Sequence, residues 1–92
     1  MDYVINKAMK ISGVQSVTLA ATSTLVSVQA RPFRVYNTGT AVMFFGPTAA
    51  LCDIGVALQP NANDGLFVSA DGKFYMRGTA GQTATIVYFD QV

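Results

Sequence analysis

Phe33-Arg34-Val35-Tyr36-Asn37-Thr38-Gly39-Thr40-Ala41-Val42-Met43-Phe44-Phe45-Gly46 is the stretch on which the fold turns. Aromatic and β-branched residues stand on either side of a short polar break, and strands favour those residue types. Gly39 supplies the positive φ of a tight turn, so the stretch reads as a hairpin tipped by Thr38-Gly39. A two-residue loop sets Val35 against Val42 and Phe33 against Phe44, an apolar face directed into a core. The opposite face then carries Arg34, Tyr36, Ala41, Met43 and Phe45, which is greasy for a surface that meets water.

The rest of the chain repeats this pattern of short runs and turn residues. Leu66 to Ala70 and Lys73 to Arg77 flank Asp71-Gly72, a strong hairpin signal, and the implied register sets Val68 against Tyr75 and Phe67 against Met76. Thr83 to Phe89 is apolar on both sides, as a central strand or an interface strand would be. Ser16 to Ala20 and Thr24 to Gln29 read as two shorter strands, and Asp53 to Leu58 holds room for another. Gly46-Pro47-Thr48 reads as a loop and Gln59 to Gly65 as a polar turn. Residues 1–15 carry no strong period and read as an extended N-terminal arm, followed by a β-sandwich over 16–92.

A chain of 92 residues builds one small domain. Its 12% charged residues are about half the roughly 25% usual for soluble domains, so many strand faces lack the charges that a solitary subunit would expose. Net charge is +1 and no basic cluster is present, which removes the electrostatic case for nucleic acid or an anionic membrane. The run from Ile11 to Val28 is interrupted by eight Ser, Thr and Gln residues; it suits alternating strands better than a signal sequence or a membrane span. Cys52 is the single cysteine, so no intrachain disulfide forms, and free cysteine ordinarily behaves as a small buried hydrophobe.

Candidate chemistry is sparse. With no His, arrangements that rely on an imidazole base or ligand are unavailable. The carboxylates are Asp2, Asp53, Asp64, Asp71 and Asp90, and Asp64 and Asp71 each precede a glycine, where turn formation is their ordinary role. Asn61, Asn63 and Asp64 offer hard oxygens but not the spacing of a calcium loop. Arg34, Tyr36, Phe45, Tyr75 and Arg77 contain the residue types of a base-stacking platform, without the basic surplus that single-strand binders use. The expectation is a protein with no catalytic residues, no cofactor, no metal and no small-molecule substrate. In a domain this small, apolar residues on both strand faces point to oligomerisation.

The Asn37-Thr38-Gly39 break, the Phe45-Gly46 end, the segment Gly65 to Gly72 and the closing run Gly78-Thr79-Ala80-Gly81-Gln82-Thr83-Ala84-Thr85-Ile86-Val87-Tyr88 resemble small bacteriophage virion structural proteins of the capsid decoration or cement type. Asp71-Gly72 stands where Ala-Gly types are common there, and the chain closes on Asp90-Gln91-Val92 without their usual Pro-Gly ending. The resemblance implies a jelly-roll-like antiparallel β-sandwich on a capsid surface, with the major capsid protein as partner and a homotrimer as its assembly state. On that reading Tyr3, Val4 and Ile5 form the capsid-binding arm, and Tyr36, Met43 and Phe45 form the oligomer interface. The alternatives are a tail, neck or head-fibre component, or a carbohydrate-binding module using Tyr36 and Tyr75 as sugar platforms.

Overall fold

The structure is a computed structural model and describes residues 9–67 and 71–91. Eight strands and one short helix follow in the order β1 (Met9–Thr18), β2 (Thr24–Ser27), β3 (Phe33–Tyr36), β4 (Met43–Gly46), α1 (Ala49–Asp53), β5 (Val56–Leu58), β6 (Asn63–Phe67), β7 (Lys73–Arg77) and β8 (Thr83–Gln91). They form two four-stranded antiparallel sheets, ordered β1-β8-β3-β6 and β2-β7-β4-β5. β1 pairs with β8, β2 with β7, β3 with β6 and β4 with β5. The chain is therefore a long hairpin rolled into two layers, the jelly-roll order of a β-sandwich.

Alternation decides which side chains enter the sandwich. Phe33 and Val35 of β3, Met43 and Phe45 of β4, Phe74 and Met76 of β7, and Ala84, Ile86 and Tyr88 of β8 face inward and are buried. Phe33 meets Phe74 edge-on at 5.3 Å and Tyr88 at 6.0 Å, and Phe45 stacks on Phe74 at 5.5 Å. The Phe33–Phe74 contact joins the two sheets, while the other two lie each within one sheet. β8 lies between β1 and β3, so the apolar run Thr83 to Phe89 marks a central strand.

Neither expected hairpin forms. β3 and β4 lie in different sheets: Phe33 pairs with Tyr88 and Phe67, while Phe44 pairs with Ala57 and Arg77. The segment 37–42 arches between the layers, reversing the parity expected for β4. Met43 and Phe45 point inward, whereas Phe44 faces outward and is half-buried. In the arch, Phe33 from one sheet and Phe45 from the other enter one core, each contributing roughly 1.5–3 kcal/mol on burial. The Asp71-Gly72 turn likewise links β6 in one sheet to β7 in the other, with Gly72 at φ 73°. Met76 pairs with Thr24 and Phe45 rather than Phe67, and Tyr75 with Leu25 and Gly46; residue 68 lies outside the described residues.

Residues 9–15, expected in the arm, belong to β1. β1 begins at Met9 because Met9 to Ile11 already pair with Gln91 to Phe89, and a bulge between Ile11 and Gly13 carries the ladder into the regular segment ending at Thr18. Residues 1–8, which contain Tyr3, Val4 and Ile5, lie outside the described residues.

Candidate interaction surfaces

The β1 side of the sandwich is built from the register of β1 on β8. Val14 lies opposite Val87, Ser16 opposite Thr85 and Thr18 opposite Thr83. Their side chains project away from the core, because Gln15, Val17 and Leu19 take the inward positions. Val14 is 66% exposed and Ile11, beyond the bulge, is 64% exposed. On the far side of β8, Arg34 pairs with Val87 and Tyr36 with Thr85. Tyr36 is half-buried on this outer face, with Arg34 donating to Asn63 Oδ1 at 3.0 Å nearby.

A second apolar exposure lies at the opposite lateral edge, around α1 and β5. Thr48 caps the helix, accepting from Leu51 N–H at 3.2 Å, and Cys52 fills the space beneath with no exposure. Gly46 makes this approach feasible, since a Cβ there would lie 2.7 Å from Cys52 N. Arg77 stacks 3.9 Å over the Phe44 ring and donates to the Cys52 and Asp53 carbonyls at 3.3 and 2.8 Å. Ser23 donates to Asp53 Oδ1 at 2.5 Å. Held in this way, the helix end presents Leu51, Ile54 and Val56 at 47%, 81% and 52% exposure.

The two ends of the sandwich are polar and tightly bonded. At one, the buried Asn37 amide donates to the carbonyls of Ala41 and Leu58, both at 2.8 Å, and accepts from Gly39 N–H and Gln82 Nε2, both at 3.0 Å. Beside it opens a shallow cleft of about 390 Å³ rimmed by Thr38, Thr40, Thr79 and Thr83. At the other end, Tyr88 donates to Gln15 Oε1 at 2.5 Å and accepts from Gln29 N–H at 3.1 Å. Arg31 lies 5.2 Å over the Tyr88 ring and bridges Ser12 and Asp90, with 3.2 Å to the Asp90 carboxylate.

The expected oligomer residues are thus divided. Tyr36 is available on an outer face, but Met43 and Phe45, with 0% and 3% exposure, are core residues; the reversed parity of β4 puts them there. The candidate platforms also come apart. Tyr36 and Arg34 stand on the outer face of one sheet, Tyr75 and Arg77 on that of the other, and Phe45 lies between them. A flat ligand meets no more than one of the two tyrosines, so they do not form one joint platform. Among the described residues, no three His, Cys, Asp or Glu side chains come together. Asp53 is engaged by Ser23 and Asp90 by Arg31, while Asp71 accepts from its own turn at Lys73 N–H.

The exposed edge residues were not singled out by sequence reasoning. Ile54 and Val56 read as parts of a strand, and Ile11 and Val14 fall within the expected arm. The usable signal was Thr48 with Leu51, a cap followed three residues later by an apolar helix position. Comparison with protein-family models, curated proteins and solved structures finds no match for this chain.

Proposed function

We propose that this chain is a non-enzymatic structural subunit of a bacteriophage virion, a decoration or cement protein that self-associates and bridges major capsid protein subunits. The observation that carries this reading is the placement of exposed apolar groups on opposite lateral edges of one rigid sandwich: Ile11 and Val14 on β1, and Leu51, Ile54 and Val56 around α1 and β5. A subunit with two separated adhesive edges touches two neighbours at once, which is what bridging requires. Burying an aliphatic side chain contributes roughly 1.5–3 kcal/mol. A shell that repeats the contact many times multiplies a modest stabilisation per copy. The low charge of the chain suits surface that faces protein, and the resemblance of the Asn37 to Gly39 and Gly78 to Tyr88 segments supplies the virion context.

Co-sedimentation with shells of the encoding phage tests the proposal. The full chain should pellet with the shells and raise the temperature at which they open, whereas Ile54→Lys should bind at least tenfold more weakly. Removing residues 1–8 tests the Tyr3-Val4-Ile5 arm as a clamp. The cut must stop there, because Met9 and Lys10 pair with Gln91 and Asp90. Undiminished binding without residues 1–8 removes the arm from the account, and a full chain that does not pellet overturns the cement role.

A further inference from the structure

The free edge of β1 is unlike the other three sheet edges. β1 is ten residues long, against three for β5, four for β2 and five for β6. β2 has the carbonyl of Ser27 occupied by Gln15 Nε2 at 3.0 Å, and β6 carries Asp64. Charges, brevity and bulges are how sheet edges avoid pairing with other chains. β1 has a bulge at Ile11/Gly13, and beyond it Val14 to Thr18 runs regular, with no charge and no proline.

The direction of its backbone groups follows from the ladder. Leu19 N–H donates to Gln82 O at 2.7 Å, so Leu19, and by antiparallel alternation Val17 and Gln15, turn their backbone groups toward β8. Val14, Ser16 and Thr18 turn theirs to the free edge, where no described backbone group meets them. This set is self-complementary. An antiparallel second copy centred on Ser16 sets Ser16 against Ser16 and Val14 against Thr18 in both directions, giving about six hydrogen bonds between copies. No like charges oppose one another, and the serine hydroxyls meet on the two-fold axis.

We infer that the Val14–Thr18 edge of β1 is the self-association site of this protein, pairing antiparallel with the same edge of a second copy to join their sheets across a two-fold axis. The inference specifies the self-association in the proposed function and replaces the three-fold symmetry implied by the resemblance. Edge pairing over this length, with Val14 at 66% and Ile11 at 64% exposure, buries on the order of several hundred Å². Stable interfaces bury above roughly 1,000 Å². The dimer is accordingly weak and concentration-dependent in dilute solution.

Sedimentation velocity of the full chain over a wide concentration range, combined with mild oxidation of cysteine variants, tests the site. A monomer–dimer equilibrium is expected. Ser16→Pro removes an edge N–H and no β1–β8 bond, so it should weaken dimerisation at least tenfold while retaining the β circular-dichroism spectrum. Val14→Lys should do the same and serves if the proline variant fails to fold. Ser16→Cys should give a covalent dimer, because paired Cα atoms about 5.5 Å apart suit a disulfide. Val14→Cys should not, its symmetry mate lying about 14 Å away. A strictly monomeric or trimeric chain, dimerisation unchanged in folded Ser16→Pro or Val14→Lys, or crosslinking at Val14 in place of Ser16 overturns the inference. None of these outcomes bears on whether the chain pellets with shells, so the cement role is judged separately.

Discussion

Asn37 ties several elements of the fold together through one buried side chain. Its amide joins the β3–β4 arch to the end of β5 through Leu58 O and to the start of β8 through Gln82, while its own N–H and C=O bond Ala62 and Asn61. Replacing a fully bonded buried group strands its partners, at about 1–3 kcal/mol for each left unsatisfied. Asn37→Ala should therefore lower unfolding stability by about 2–4 kcal/mol, read as an earlier urea midpoint with unchanged slope. Asn37→Asp adds a pH dependence. A buried carboxylate facing the Ala41 and Leu58 carbonyls has its folded pKa raised above the unfolded value of about 3.9. The protonated form is the one the fold accepts, so stability is retained below the unfolded pKa and lost as pH rises through the folded one. Urea titrations should place this variant somewhat below the wild type at acid pH, since a carboxylic acid has one donor where the amide uses two, and much further below it at neutral pH. The Asn37-Thr38-Gly39 turn was legible in the sequence, because the Gly39 N–H to Asn37 Oδ1 bond is local. The bond to Leu58 was not, since nothing near either residue announces a partner twenty-one positions away.

At the scale of elements, the sequence showed where chain direction changes but not where the strands go afterward. Asp71-Gly72 is a real turn, and Gly72 takes the positive φ expected of it; Gly39 does not take the positive φ expected there, because the chain bends through the Gly39 N–H to Asn37 Oδ1 bond instead of closing a two-residue hairpin. Local turn chemistry is shared by hairpins and by arches that cross between layers, and the choice is made by core packing between distant strands. That choice also fixed the parity of β4, so Met43 and Phe45 were placed on the wrong side while Phe33 and Val35 were placed correctly. Helix α1 escaped notice because five residues give too short a period to see. Two glycine substitutions separate packing from backbone conformation. Gly46→Ala puts a Cβ 2.7 Å from Cys52 N and 2.8 Å from Leu51 C, so α1 must shift. Gly81→Ala meets nothing within 4 Å and is opposed only by its φ of 86°. Thermal unfolding should show the first costing about 2–3 kcal/mol and the second about 1 kcal/mol. Equal losses would mean that α1 is not held against Gly46.

For the whole molecule, the shortage of charge is resolved into places. The inward faces of both sheets account for much of the apolar content, and among the described residues the large exposed apolar side chains are Ile11 and Val14 on β1, Leu25 on β2, and Leu51, Ile54 and Val56 around α1 and β5. Ile54, at 81% exposure, contributes little to folding, so Ile54→Lys should change unfolding stability by no more than about 0.5 kcal/mol. A larger loss in a denaturant titration would mark Ile54 as a folding residue and remove it from the adhesive surface. The jelly-roll order, in which the first strand pairs with the last, makes this rigid presentation depend on the complete chain. The most direct measurement is quantitative mass spectrometry of purified particles from the encoding phage, alongside particles from a deletion of the gene. Many copies of this chain per particle are expected, and shells lacking it should open at a lower temperature. Particles devoid of the chain, or shells indifferent to its deletion, would contradict the cement role.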